Sequence, residues 1–186
     1  ERTWHVHHLG RDLACRVLPK TARAALELHA SLPPHPNVVT LHDVLETDSE
    51  LHAIMDLVHP LCSPAHRLIS AAASALHHCH RHGVLHRDVR PCNVLSGKLV
   101  SFDSAVSADQ DSGDAPFFGS PLFSRTPDPC DAWSLGVTAY VMCSGRTPCG
   151  TLRPLDDPHA QDLVSGLLNG RLTMPQVIFH PFCMQP

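Results

Sequence analysis

The chain has 186 residues, enough for one domain with a real core, and 43% of them are apolar while only 17% are charged. A net charge of −4 makes no electrostatic case for nucleic acid, and no apolar run approaches the length that spans a bilayer. Eight scattered cysteines form no CxxC pair, which argues against a zinc ribbon and for reduced core thiols in a cytosolic or nuclear protein. The expectation from these thiols is a cytoplasmic location.

Two short strands are predicted first, Thr3 to His7 and Leu13 to Leu18, with Gly10 in the turn between them. Thr21 to Leu32 reads as a helix with Ala24, Leu28 and Leu32 on one face. Val38 to Glu46 and Leu51 to Val58 read as two more strands around the turn Thr47-Asp48-Ser49-Glu50. Pro64 to Arg81 is helical, with Leu68, Ala72, Leu76 and Cys79 facing a core. The His-rich run at its end places His78 and His82 on one face, but no third metal ligand is specified by spacing. From Trp133 to Cys143 the pattern is apolar nearly all round, as a buried helix requires. Ala160 to Leu168 is amphipathic, and Thr173 with Gln176 has the spacing of a capping box before a final helix.

The most informative stretch is His86-Arg87-Asp88-Val89-Arg90-Pro91-Cys92-Asn93-Val94-Leu95. It resembles the catalytic loop of eukaryotic protein kinases, H-R-D-x-K-x-x-N. A second anchor, Asp131-Ala132-Trp133-Ser134-Leu135-Gly136-Val137, resembles D-x-W-S-x-G-V of the same family. Asn37 to Asp43, Leu57 to Pro60 and Leu76 to Asp88 look like plant phosphoenolpyruvate carboxylase kinase, a small Ser/Thr kinase of the calcium/calmodulin-dependent group. The implied fold is α+β and two-lobed, a single domain over 1–186. A partial N-lobe would run over 1–58 and a shortened, mainly helical C-lobe over 59–186.

The resemblance implies roles residue by residue. Asp88 stands at the catalytic base, Arg90 at the cation near the transferred phosphoryl group, and Asn93 at an amide that holds magnesium. His86 and Arg87 would shape the loop, and Asp131 would bond its backbone amides. Asp56 and Leu57 fall in the hinge that meets an adenine ring. Arg16 stands where a Lys anchors the phosphates of ATP, a swap that is not conservative. An exposed strand cation is the competing reading of Arg16. Ala25 falls where the family carries the paired Glu, with Glu27 two residues on as a solvated charge.

The main departure is Leu99-Val100-Ser101-Phe102-Asp103-Ser104-Ala105, where the family reads D-F-G-S-A. Ser101 sits at the metal-binding Asp and Asp103 at the Gly, and a neutral hydroxyl is a poor ligand for a hard cation. Ala108 to Phe123 would be the activation segment, with Ser120 in G-S-P-L-F at the Thr that contacts the base. Thr126-Pro127-Asp128 resembles A-P-E, and Asp128 would pair with Arg171, either as a buried bridge or on the surface. No Gly-rich phosphate loop precedes Arg16 in these residues.

The family implies ATP and Mg2+ as cofactors and a protein substrate, with phosphoenolpyruvate carboxylase as candidate partner and a monomeric state. Two readings follow from different classes: a Ser/Thr kinase, or a pseudokinase that holds a partner. A third is a decayed product that folds poorly. Four losses together outweigh an intact base, because phosphoryl transfer is nearly all positioning and electrostatics. The expectation is therefore a weak or inactive kinase.

Overall fold

A computed structural model describes residues 2–8, 10–110, 129–148 and 152–185. The N-terminal part is a four-stranded antiparallel sheet in the order β1-β2-β4-β3. Its strands are β1 (Arg2–His8), β2 (Arg11–Pro19), β3 (Leu41–Glu46) and β4 (Glu50–Asp56). Gly10 lies between β1 and β2 at φ +75°, a backbone state that costs a residue without Cβ little. The predicted third strand is shorter than expected. Val38 and Val39 leave the sheet and dock on Leu99 instead, with Val39 N–H donating to Leu99 O at 3.0 Å. A bulge between Leu41 and Asp43 turns His42 toward Asp56, which it meets at 2.7 Å.

Between β2 and β3 lies α1 (Arg23–Ser31). Its most buried face is Ala25, Leu26 and His29 with Ala22 just before it; of the predicted Ala24, Leu28 and Leu32, the two leucines are half-buried against the core and Ala24 is exposed. Both sets fit a helical repeat, and contact with the sheet and with Phe102 selects the first. Glu27 is exposed, as expected of a solvated charge.

The rest is mainly helical: α2 (Ala65–Arg81), α3 (Pro129–Ser144), α4 (Pro158–Leu168) and α5 (Met174–Ile178). Short hairpin strands bracket the segment between α2 and α3: β5 (Val84–Leu85) with β8 (Val106–Ser107), and β6 (Val94–Leu95) with β7 (Lys98–Leu99). Ile69, Ala72, Ala73, Leu76 and Cys79 of α2 are buried against α3 and α5, burial that supplies most of such a helix's stability. Gly136 lets α3 approach α4 closely: a Cβ there would stand 3.0 Å from Leu167 Cβ. Asp157 caps α4 by accepting His159 N–H at 2.8 Å, and Gln176 Oε1 accepts Thr173 N–H at 2.9 Å in the expected box before α5. The expected α+β arrangement is thus present, a strand lobe followed by helices, around a core that runs from Ala14 to Phe182.

The loop after α1 is stitched to β6–β7. Asn37 Nδ2 donates to Gly97 O at 2.8 Å, Leu99 N–H to Asn37 O at 2.7 Å, and Lys98 Nζ to Pro36 O at 3.1 Å. The same loop rests on α2 through a stack of imidazoles. His35 lies 4.6 Å from His78, and His78 lies 4.5 Å from His82. His78 donates to Pro33 O and His82 to His78 O, so these rings staple backbone. No three-ligand metal cluster occurs among the described residues.

Candidate active site

The segment 86–93 is held from below by one carboxylate. Asp131, at the start of α3, is 1% exposed. Its Oδ2 accepts His86 N–H, its Oδ1 accepts Arg87 N–H, both at 2.8 Å, and the His80 ring meets Oδ2 at 2.8 Å. Burial alone would raise this carboxyl's pKa, but the His80 hydrogen bond and the charges around it bring it below the usual value. Asp131 thus bonds two backbone amides of the loop, and Thr138 adds a bond to Val89 O at 3.2 Å. His80 is a partner that the sequence reading missed. It is masked there by three neighbouring histidines and one cysteine, and only helix phase separates it from them.

His86 is wholly buried. Its Nε2–H donates to Val100 O at 2.9 Å and its Nδ1 accepts Asp88 N–H at 3.2 Å, which requires the neutral ring. Burial lowers its pKa accordingly. Phe102 packs edge-on against it at 4.7 Å and is stacked on its other side by His29. The ring pile His29–Phe102–His86 therefore ties α1 to the loop. Arg87 and Ser101 take left-handed φ of 66°, strain that a rigid surround must hold in place.

Asp88 is 13% exposed and fully engaged. Its Oδ2 accepts Asn93 Nδ2 at 2.7 Å, and its Oδ1 lies 3.1 Å from Arg90 Nε. Asn93 also donates to Asp88 O at 2.8 Å. Asp88, Arg90 and Asn93 are thus brought together as their motif requires. Asp56 closes β4 and pairs with His42, and Leu57 follows it against the core.

Arg16 corrects one alternative, since it is no exposed strand cation but only 7% exposed. Its Nη1 donates to Ser101 Oγ, and its Nη2 reaches the Asp103 carboxylate at 3.1 Å. The strand lobe and the altered tripeptide are therefore joined by a buried ion pair. Ala25, facing the core, offers Arg16 no carboxylate. Arg171 is exposed and pairs with Asp162 at 3.6 Å, which places it on the surface. Asp128, with Thr126 and Pro127, and the stretch around Ser120 lie outside the described residues.

The donor set does not fit magnesium. A hard divalent cation needs carboxylate oxygens, yet the hydroxyl of Ser101 accepts from Arg16 and the carboxylate of Asp103 is ion-paired to it. The Asn93 amide oxygen faces the Cys92 thiol at 3.9 Å.

The protein kinase domain model matches residues 10–156, and the chain belongs to that family. It is similar to Calcium-dependent protein kinase 20 of Oryza sativa subsp. japonica, 29% identical over 235 residues, covering 93% of this chain and 43% of that protein. Serine/threonine-protein kinase PEPKR2 of Arabidopsis thaliana is 27% identical over 233 residues, covering 94% of this chain and 48% of that protein. Sperm motility kinase 2B of Mus musculus is 29% identical over 168 residues, covering 76% of this chain and 34% of that protein. The chain spans less than half the length of these curated relatives.

Proposed function

We propose that this chain is a degenerate Ser/Thr kinase-like domain with weak or no phosphoryl transfer, whose main use is to hold a protein partner. The observation that carries this reading is the Arg16 bridge to Ser101 and Asp103, which commits the groups nearest the family's metal position to one another. A span of 235 aligned residues against a chain of 186 also supports a shortened domain. The protein would act as a monomer in the cytoplasm, where the free thiols of Cys15, Cys62, Cys79, Cys92, Cys143 and Cys183 stay reduced.

Active transfer to a protein hydroxyl is the second reading, favoured by the contact between Asp88 and Asn93 and by the hold of Asp131 on the His86 and Arg87 amides. Phosphoenolpyruvate carboxylase is the substrate to try, on the resemblance of Asn37 to Asp43 and Leu76 to Asp88. Purified protein given radiolabelled ATP, Mg2+ and the carboxylase should transfer little label. Transfer at ordinary kinase rates, about 1–100 per second, that disappears in Asp88→Asn would refute the first reading and establish the second.

A further inference from the structure

The positive charge that the altered tripeptide holds is a guanidinium. Arg16 leaves the inner face of β2 opposite Ala53 and ends between Ser101 Oγ and the Asp103 carboxylate. The side chains are 9% and 21% exposed, so water screens the pair weakly. In a metal-dependent site a divalent cation offsets the repulsion between a carboxylate and the ligand's phosphates. Ser101 is neutral, so that repulsion is absent at its position. The carboxylate of the altered tripeptide, Asp103, is already paired with Arg16, and that of Asp88 with Arg90.

We propose that Arg16 takes the phosphates of a nucleoside polyphosphate free of divalent cation, and that Asp103 competes with those phosphates for it. This deepens the reading above and rests on it, because family membership is what brings in the nucleotide. The balance of the competition is electrostatic. A phosphate offers Arg16 more negative charge than one carboxylate and the same two-oxygen face. Asp103, however, is tethered beside the guanidinium and has no association entropy to lose. The resting state is thus a latch closed by the chain itself, and ligand entry exchanges one anion for another on Arg16.

The test is a titration of the full chain with methylanthraniloyl-ATP, in EDTA and in MgCl2, for wild type, Asp103→Asn and Arg16→Gln. Thermal melts check folding of each variant, and Asp103→Ser replaces Asp103→Asn where the latter melts early. The expected wild-type Kd is the same within about twofold in both buffers. Asp103→Asn should bind on the order of tenfold tighter and Arg16→Gln on the order of tenfold weaker. Binding by Asp103→Asn where wild type shows none also supports the latch. Wild-type affinity that rises about tenfold or more with Mg2+ overturns the proposal. So does equal binding by wild type and Asp103→Asn, which leaves the nucleotide reading standing. Absence of binding by every protein in both buffers overturns the nucleotide reading as well.

Discussion

His29 lies almost flat on Phe102, with ring centroids 4.2 Å apart and planes 14° from parallel. Its Nε2–H donates to Val39 O at 2.9 Å, so α1, the altered tripeptide and the stitched loop meet at one imidazole. That ring is buried, and burial pushes its pKa down from 6.5 to about 4.

Stability should therefore fall on acidification. Above pH 6.5, the ordinary value for His29, the ring is neutral in both folded and unfolded chains and makes no difference. Below it the unfolded chain takes up a proton that the folded chain refuses until about pH 4. The loss is about 1.4 kcal/mol per pH unit, on the order of 3 kcal/mol in all. His86, lowered by burial, acts in the same direction. Urea unfolding at pH 7.5, 6, 5 and 4 measures the slope. His29→Leu should lower the slope by about 1.4 kcal/mol per pH unit and leave the His86 part, and an unchanged slope in that variant would place the acid sensitivity elsewhere.

Asp131→Ala should cost about 3 kcal/mol. It strands the amides of His86 and Arg87 and the His80 ring inside the protein at once. Denaturant midpoints compare it with His80→Ala, which removes one partner and should cost about 1 kcal/mol.

Gly136→Ala should destabilise by about 1–2 kcal/mol despite its better helix propensity. The new methyl would stand 3.0 Å from both Leu167 Cβ and Leu168 Cδ2. Pairing it with Leu168→Ala should recover part of the loss in a thermal melt, since Leu168 Cδ2 is a side-chain end that can be removed.

Ser101→Asp combined with Asp103→Gly restores the family tripeptide but should leave activity well below that of an ordinary kinase. Arg16 and Ala25 are unchanged, and no Gly-rich phosphate loop precedes Arg16 in the sequence. Radiolabel transfer by the double variant decides the matter, and full activity would mean that the tripeptide alone silences the domain.

The loop from His86 to Asn93 was legible because its chemistry needs fixed residue types at fixed spacing, and Asp131 because its motif names its partners. What escaped was set by distant contacts. Ala22, Ala25, Leu26 and His29 fit a helical repeat no better than Ala24, Leu28 and Leu32, and the packed surface chose between them. The burial of Arg16 depends on Ser101 and Asp103, 85 and 87 residues away in sequence, which no local pattern reports. A histidine at the end of a ring pile scores as polar in any periodicity count, so His29 stayed hidden until Phe102 was placed beside it.

The stitching of Pro36, Asn37 and Val39 to Gly97, Lys98 and Leu99 has a mechanical consequence. Those bonds weld the back of the cleft on the strand side to the hairpin that leads into Ser101. Hinge opening at that seam would have to break two main-chain bonds and the side-chain bonds of Asn37 and Lys98 together. Swinging one carboxylate at Asp103 through its own torsions breaks only the ion pair, so access would be governed by a rotamer change, on a far faster clock than a parting of lobes.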